Sequence, residues 1–308
     1  MRALVTTPDG PAPMELRDVP DPVPGPHEAV VAVRAFSLNR GELASITRNG
    51  TGWIPGQDVA GVVVAAAADG SGPPVGSRVV ALTDEFGWAE RVAVMGHRMA
   101  VLPDEVGFAQ AATLPVAGLT ALRTLRHGGA LVGQRVLITG AAGGVGMLAI
   151  QIAAHAGAKV TAVVGRPDRA ADVADLGAAE VVVGIERATG RFRLILESAG
   201  GASLAQALRL VEPCGTIVVY GNSSTEPTTL GFADFRQAQN ARIQSFFYFT
   251  SEAEERFAPD LALLVSLVAD GALRPVIGVE TGWTDFGPVA ERLRARQIPG
   301  KAVFRVGD

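Results

Sequence analysis

Hydrophobic and polar positions follow two different patterns along the chain. Up to about residue 114, short apolar runs alternate with segments rich in Pro and Gly, and the runs 29–35, 61–67, 78–82 and 91–94 predict strands. From about residue 115, strand-like apolar runs alternate with amphipathic segments of helix length. The first pattern is typical of an all-β unit, and the second is typical of crossover units in a parallel sheet.

The second pattern predicts an α/β unit with a doubly wound parallel sheet. Its six predicted strands are 136–139, 159–164, 180–183, 194–196, 216–220 and 243–249. An apolar stripe at helical spacing from Val145 to Ile152 predicts the first crossover helix. Gly157 is expected to end this helix.

The end of the chain returns to short elements. A helix at about 254–269 precedes a helix at 286–296 and a final apolar strand at 302–306. We expect this tail to return to the first unit, so that both chain ends build it. The predicted division is 1–114 with 271–308 for the first unit and 115–270 for the second.

Composition narrows the class of protein. The 308 residues carry a formal net charge of −4 without a basic run, so nucleic acid is not an expected partner. Every apolar stretch is interrupted before the ~20 residues of a membrane-spanning helix, and no secretory signal opens the chain, so we expect a cytoplasmic protein. Cys214 is the only cysteine, which excludes an internal disulfide and a cysteine-based metal cluster.

A glycine-rich turn lies between the first strand and the first helix of the second unit. Gly143 would let a pyrophosphate approach the backbone, Gly146 would let the helix lie close to the strand, and the helix N-terminus offers N–H groups. The turn predicts dinucleotide binding; a tight turn without a ligand is the alternative. Its residues are Gly140, Ala141, Ala142, Gly143, Gly144, Val145 and Gly146.

The end of the next strand indicates which nicotinamide cofactor binds. An acidic residue there would bind the ribose hydroxyls of NAD, but the strand runs into Val164-Gly-Arg-Pro-Asp-Arg169. Arg166 could pair with the 2′-phosphate of NADP through two nitrogens, with Arg169 as a second contact, so we expect NADPH. Two alternatives stay open: both arginines are solvated surface residues, or Asp168 turns inward and favours NAD.

Several ordered motifs resemble one known family, the medium-chain dehydrogenase/reductase superfamily, and within it the zinc-free quinone oxidoreductase branch. The resemblance covers nearly the whole chain. It implies a GroES-like β lobe formed by both chain ends, a Rossmann domain between them, and hydride transfer in a cleft. Besides the glycine turn, the motifs are Ser-Leu-Asn-Arg-Gly-Glu at 37–42, Ile-Pro-Gly-Gln-Asp-Val-Ala-Gly at 54–61, Gly-Trp-Ala-Glu at 87–90, Leu-Pro-Val-Ala-Gly-Leu-Thr-Ala at 114–121 and Gly-Lys-Ala-Val-Phe at 300–304.

The ligands of a catalytic zinc are missing. Zinc-dependent members of the superfamily carry a cysteine where this chain has Asn39 and a histidine where it has Gln57. Neither amide binds zinc well, and the four histidines of the chain have no metal-ligand spacing, so we expect no metal. Without a Lewis acid to hold an alkoxide, reduction of a conjugated carbonyl is favoured over oxidation of a simple alcohol.

The resemblance also implies cofactor contacts. Residues 143–145 would lie under the pyrophosphate. For the phenylalanines of the last strand, the alternative is a buried strand without a cofactor role. The residues expected against the nicotinamide, its carboxamide or the centre of the cofactor are Asn39, Thr120, Gly221, Asn222, Phe246 and Phe247.

The proton donor stays unassigned. Many quinone oxidoreductases place a tyrosine in the segment after the Asn39 position, but residues 39–53 contain none. Asn39 and Tyr248 are the remaining catalytic candidates, with a core or interface role as the alternative for Tyr248. Water could also supply the proton.

Two further surfaces are expected. A substrate mouth would include Arg40, Glu42, Trp53 and Trp88, and its two tryptophans favour a flat or apolar ligand. An apolar strand at the edge of the parallel sheet is expected to pair with its copy in a second subunit, which predicts a homodimer.

These observations favour an NADPH-dependent, zinc-free oxidoreductase that transfers a hydride to a small quinone or α,β-unsaturated carbonyl. A second hypothesis is a pathway-specific reductase of an enoyl thioester, an iminium or a polyketide intermediate. A third, of another class, is a non-catalytic NADPH-binding sensor protein, which the missing tyrosine motivates.

Overall fold

The chain forms two compact units in the computed structural model, which describes residues 1–7, 14–46, 48–248 and 257–307. The first unit consists of the described residues of Met1–Leu119 and Phe249–Asp308, and the second is Thr120–Tyr248. Up to the boundary the elements are β1 (Arg2–Thr6), β2 (Met14–Asp18), β3 (Glu28–Leu38), α1 (Arg40–Ile46), β4 (Asp58–Ala65), β5 (Arg78–Leu82), β6 (Arg91–Met95), β7 (Met99–Val101), α2 (Phe108–Ala111) and α3 (Pro115–Arg126), which crosses it.

The second unit and the tail complete the chain. The second unit contains β8 (Arg135–Ile138), α4 (Gly144–His155), β9 (Lys159–Val164), β10 (Glu180–Val183), β11 (Phe192–Glu197), α5 (Gly201–Leu210), β12 (Val211–Val219) and β13 (Arg242–Ser245). The tail contains α6 (Phe257–Ala269), β14 (Ile277–Gly282), α7 (Phe286–Arg294) and β15 (Lys301–Arg305).

The main sheet of the first unit joins both ends of the chain. Its strand order is β14-β15-β3-β4-β5-β7. The strand β6 pairs with the beginning of β3. β15 lies antiparallel to β3, with Phe304 opposite Phe36. The tail therefore returns to the N-terminal sheet and adds strands to it.

Aromatic rings fill the core of this unit. Phe36 stacks on Trp88 and on Phe304, with ring centroids 5.7 Å and 5.1 Å apart, and Phe286 lies 4.8 Å from Trp88. Trp283 packs against the same Phe36 ring. All five side chains are buried, so residues from the N-terminal strands and from the tail stabilise one another.

The second unit has the predicted doubly wound sheet. Its six described strands all run parallel in the order β10-β9-β8-β11-β12-β13. The strand order reverses between β8 and β11, which is where this fold opens a crevice at the carboxyl ends of its strands. The expected fold class, a β unit with a doubly wound α/β unit, is confirmed.

Two crossover connections differ from the expected helices. The link from β9 to β10 contains short 3₁₀ turns at Pro167–Arg169 and Ala171–Val173, and the link from β12 to β13 contains one at Phe232–Phe235. The last strand of the sheet ends at Ser245 instead of continuing to residue 249, which lies outside the described residues.

Helix α6 lies with the first unit. The sequence-based boundary at 270 assigned it to the second unit, but α6 packs against β5 and β7. Its buried stripe of Leu261, Leu264 and Val265 covers apolar surface there. No described helix, α6 included, has the length and hydropathy needed to cross a bilayer.

The close approach of α4 to β8 depends on Gly146. A Cβ at this position would lie 2.5 Å from the Gly140 carbonyl oxygen and 2.7 Å from the Cα of Ala141. Gly146→Ala should therefore lower the free energy of unfolding by about 1–3 kcal/mol, since backbone must shift. Gly165→Ala is the matched control because its Cβ would meet nothing within 4 Å. Urea unfolding curves that coincide for the two variants would contradict this account.

Candidate functional site

The glycine turn lies at the carboxyl edge of the parallel sheet, between β8 and α4. Gly140 has a φ of +60°, a conformation that favours glycine, and its carbonyl oxygen accepts a hydrogen bond from Gly143 N at 2.9 Å. Helix α4 begins at Gly144, so its first N–H groups have no acceptor within the helix. The turn thus forms a cradle of backbone donors that suits a pyrophosphate.

Strand ends converge beside this turn. Ser198 follows β11, and its amide N donates to Thr139 Oγ1 at 2.9 Å. A Cβ at Gly140 would lie 2.4 Å from Ser198 Oγ, and one at Gly221 would lie 3.2 Å from the Ser198 carbonyl oxygen. The structure therefore brings together two predicted cofactor residues, Gly140 and Gly221, with Ser198 between them.

A polar network supports the crevice, and sequence reasoning missed it. The buried carboxylate of Glu197 accepts hydrogen bonds from Ser203 Oγ at 2.8 Å and from Thr139 Oγ1 at 3.2 Å. Tyr220 donates its hydroxyl to the Thr139 carbonyl at 3.3 Å, and burial raises the pKa of that phenol to about 12. Polar residues and two glycines directly after the strand 194–196 were a usable signal, because ligands in this fold bind at strand ends.

The two arginines after β9 each have a carboxylate partner. Arg166 is exposed and forms a bidentate pair with Asp168, through Nε at 3.2 Å and Nη2 at 3.0 Å. Arg169 Nη1 lies 2.9 Å from Asp172 Oδ2. Asp168 therefore faces Arg166, and a phosphate at Arg166 would replace this carboxylate as its partner.

Two other predicted cofactor residues lie on α3 and in the loop after β12. Thr120 is buried on α3, and its carbonyl accepts a hydrogen bond from Thr124 Oγ1 at 2.7 Å. Asn222 is exposed, and its Oδ1 accepts from Ser224 Oγ at 3.2 Å.

The segment after β13 departs from the expected buried strand. Phe246 N donates to the Val219 carbonyl at 2.9 Å, and its ring lies edge-on to His127 at 6.2 Å. Burial lowers the pKa of His127. Phe247 is 54% exposed, and Tyr248 follows in a turn. The strand thus ends at Ser245, although Phe246 still bonds to β12 through its backbone.

The first unit contains a cavity of about 450 Å³. Trp53 forms part of its wall and donates its indole N–H to Glu85 Oε2 at 2.8 Å. Of the residues expected at a substrate mouth, Glu42 and Trp53 line this cavity, while the exposed Arg40 begins α1 and is not among the lining residues. The lining consists of Glu42, Ser45, Asn49, Trp53, Gly56, Gln57, Asp84 and Glu85.

Trp88 belongs to the core instead of the mouth. Its side chain is completely buried between Phe36 and Phe286. Its backbone N donates to the Pro55 carbonyl at 3.0 Å, and this pairing fixes the segment that carries the ring. The pattern Gly-Trp-Ala-Glu does not reveal that the ring faces inward, because one aromatic residue between glycine and alanine suits a core or a surface.

Asn39 belongs to a buried network of charged and polar groups. Asp58, which is completely buried, accepts from Asn39 Nδ2 at 2.8 Å and from Ser37 Oγ at 2.6 Å. The ammonium of Lys301 lies 3.0 Å from Asp58 Oδ2 and 2.5 Å from Asn39 Oδ1. Val116 N donates to the other Asp58 oxygen at 2.7 Å. Lys301 was not recognised from the sequence, because its partners lie far away along the chain.

Glu42 is the second buried carboxyl of this region. Its Oε2 accepts from Asn39 N at 2.8 Å and from Asn39 Nδ2 at 3.2 Å, and its Oε1 accepts from Gln57 N at 2.9 Å. Burial, together with the nearby charge of Asp58, raises the pKa of Glu42 to about 8, although hydrogen bonds from Asn39 and the charge of Lys301 oppose this shift.

Two protein families match the chain by their sequence models. The alcohol dehydrogenase GroES-like domain matches residues 25–124, and the zinc-binding dehydrogenase family matches residues 144–266. The metal in the second name does not fit this chain, because Asn39 and Gln57 present amides. Among the described residues, no three His, Cys, Asp or Glu side chains are grouped to hold a metal ion.

Comparison with individual proteins indicates the same family of oxidoreductases. Human quinone oxidoreductase is 31% identical over 289 residues, which cover 87% of this chain and 86% of that protein. The spectinabilin polyketide synthase system protein NorB of Streptomyces orinoci is 34% identical over 294 residues, which cover 91% of this chain but 13% of that protein. The structure of Escherichia coli quinone oxidoreductase complexed with NADPH shares the fold, with a TM-score of 0.87 at 22% identity, covering 99% of this chain and 100% of that chain.

A GroES-like unit joined to a doubly wound unit with a dinucleotide turn defines an oxidoreductase. The chain belongs to the medium-chain dehydrogenase/reductase superfamily, in its quinone oxidoreductase-like branch, as the sequence motifs indicated.

The buried pair of Lys301 and Asp58 should be essential for stability. Lys301→Met removes the ammonium and leaves a buried carboxylate, which should lower the free energy of unfolding by about 3–5 kcal/mol. Arg305→Ala is the control on the same strand, because its pair with Glu280 is exposed and should contribute about 1 kcal/mol or less. If denaturant titrations gave the same loss in the free energy of unfolding for both variants, the buried pair would contribute no more to stability than the exposed pair.

Proposed function

We propose that this chain is an NADPH-dependent, zinc-free reductase that transfers a hydride to a quinone or an α,β-unsaturated carbonyl. The observation that carries the proposal is the crevice beside β8. There the glycine cradle, Ser198 and Gly221 meet, and β9 leads to Arg166 without an acidic residue at its end.

The residues present suit NADPH. First-turn N–H groups of α4 would bind the pyrophosphate, and the Arg166 guanidinium would bind the 2′-phosphate in place of Asp168. When bound, NADPH supplies the hydride. Asn39, Thr120, Gly221, Asn222 and the backbone at 246–247 are the further contacts that the family resemblance proposes.

The first unit supplies a site for a small substrate without a metal. A volume of about 450 Å³ lies within the range of small-molecule sites. The Trp53 indole offers a flat apolar wall, which suits a quinone ring or a conjugated system. Hydride addition to such a substrate spreads charge over the conjugated system, so a Lewis acid is less needed than for a simple alcohol.

A pathway-specific reductase of an enoyl thioester, an iminium or a polyketide intermediate is the second candidate. The match to a segment of a polyketide synthase system protein, which spans 91% of this chain, favours it. A panel of quinones, enones, enoyl thioesters and imines with NADPH separates the two. Nucleotide binding without turnover of any of them would support a sensor instead.

Nucleotide titration tests the cofactor assignment. Arg166→Ala should weaken NADPH binding about 10–100-fold, from the loss of charge-assisted hydrogen bonds, and leave NADH binding unchanged. Asp168→Asn should strengthen NADPH binding, because the competing carboxylate is removed. The measurement is nicotinamide fluorescence on addition of protein.

Arg209→Ala is the control for these titrations, since the Arg209 side chain is 59% exposed, pairs with Asp234 and is not among the proposed cofactor contacts. If neither nucleotide binds the wild-type protein, the cradle is only structural and the proposed function fails. If Arg166→Ala weakens NADPH and NADH equally, Arg166 does not recognise the 2′-phosphate.

We also propose that the protein is a homodimer through β13. This strand is the last one in the described part of the sheet, and all four of its residues are exposed. Ile243 and the following Phe247 are 43% and 54% exposed, so this edge carries exposed apolar side chains. A second copy would cover such an edge by strand pairing.

A charge on the edge should break the dimer. Ile243→Lys is expected to convert a species with the mass of two chains into a monomer in sedimentation equilibrium, because the ammonium would be desolvated in the interface. Val132→Lys is the control, since Val132 is 79% exposed elsewhere in the same unit. A wild-type protein that is monomeric at micromolar concentration would refute the dimer.

A further inference from the structure

Glu42 is a buried residue that lines the cavity of the first unit. Only 3% of the residue is exposed, yet it forms part of the cavity wall with Gln57. Its two oxygens have different environments. Within the described part of the chain, Oε2 accepts two hydrogen bonds from Asn39, whereas Oε1 accepts one from Gln57 N. Oε1 is therefore the oxygen that can carry a proton and still keep its hydrogen bond.

We propose that Glu42 is the proton donor of the reduction, delivering a proton from Oε1 to the substrate oxygen in this cavity. The inference rests on the proposed function, because it needs a conjugated carbonyl or quinone as substrate. It assigns the proton donor, which had no candidate tyrosine in the segment after Asn39.

A helix-capping role alone does not account for Glu42. The bond from Asn39 N to Glu42 Oε2 is the reverse half of a capping box at the start of α1. An ionised carboxylate that points to solvent would serve that purpose equally well, and the positive end of the helix would favour it. Burial of the group at a cavity wall instead favours the protonated form that an acid catalyst needs.

Burial is the largest cause of the raised pKa of Glu42, and the charged groups around it act in both directions. Asp58 on β4 raises the pKa of Glu42, and Lys301 on β15 lowers it but lies in contact with Asp58. Asp84 and Glu85 share the cavity with Glu42. On the same helix, the Arg40 residue is exposed overall, but partial desolvation of its guanidinium and the charge of Arg296, which follows α7, lower the pKa of Arg40. With burial as the largest cause, the pKa of about 8 keeps Glu42 protonated at neutral pH.

The proposed reduction uses one hydride from NADPH and one proton from Glu42. Hydride addition to the conjugated carbon forms a C–H bond, and the π electron pair moves onto the carbonyl oxygen of the substrate. Glu42 then forms the new O–H bond and becomes a carboxylate, which regains a proton from water in the cavity. For an enone the product is an enol that becomes a ketone in water. For a quinone the first product is a keto tautomer, which becomes the hydroquinone when the proton on the new C–H carbon is lost to water and the second oxygen gains one.

The pH profile of the reduction tests this role. With NADPH and 9,10-phenanthrenequinone or 2-cyclohexen-1-one, kcat/KM of the wild type should be level below pH 8 and fall tenfold per pH unit above it. Glu42→Gln should lower kcat about 10²–10⁴-fold and remove this alkaline limb, since the amide has no proton to give. Glu42→Asp should regain part of the rate and the limb.

Glu85→Gln is the matched control, because it neutralises another carboxylate of the same cavity. It can change KM but should keep the alkaline limb. A Glu42→Gln enzyme with wild-type kcat, or with the alkaline limb intact, would overturn the role of Glu42 and leave the proposed function standing. Absence of wild-type turnover with every quinone and enone would overturn both.

A measurement without substrate tests the protonation state itself. Because the folded protein holds the Glu42 proton more tightly than the unfolded chain, this contribution to stability is complete below about pH 4 and is lost as pH rises through about 8. The melting temperature of the wild type should therefore decline over this range more steeply than that of Glu42→Gln. Parallel profiles would show that Glu42 is ionised at neutral pH, which contradicts the proposal.

Discussion

The buried contact between Lys301 and Asp58 is the constraint on which the first unit depends. It joins residues 243 positions apart in the chain and connects the last strand to β4. Desolvation of both charges is costly, and the attraction between them offsets that cost only when hydrogen bonds satisfy the remaining atoms. Ser37, Asn39 and Val116 supply such bonds to Asp58. The two chain ends therefore form one sheet around a single polar centre.

The same centre shapes the chemistry of the cavity. Asn39 donates to both Asp58 and Glu42, so it holds two carboxyl groups in one region. Asp58 has the ammonium as its partner, whereas the described donors to Glu42 are the amides of Asn39 and Gln57, and Glu42 is also a lining residue of the cavity. This difference in environment separates a structural carboxylate from one that holds its proton. In zinc-dependent relatives a metal ligand stands at the position of Asn39; here an amide organises the site.

In the second unit, the strand order creates the cofactor crevice. The order reverses between β8 and β11, so the loops after these strands diverge and leave space at their carboxyl ends. Close approach of these ends explains why Gly140 and Gly221 both lack a side chain toward Ser198. The bidentate contact of Arg166 with Asp168 leaves the arginine exposed where a phosphate could replace the carboxylate. Backbone donors and one guanidinium are thus available for a dinucleotide.

The sequence by itself determined the parallel strands, the glycine turn and the absence of zinc ligands at Asn39 and Gln57, because these depend on local periodicity, glycine spacing and residue type. Only the tertiary structure decided that Trp88 fills the core, that α6 packs on the first unit and that Lys301 meets Asp58. It also decided the protonation of Glu42. Burial and charge pairing arise between residues distant along the chain, and no local pattern encodes which distant groups will meet.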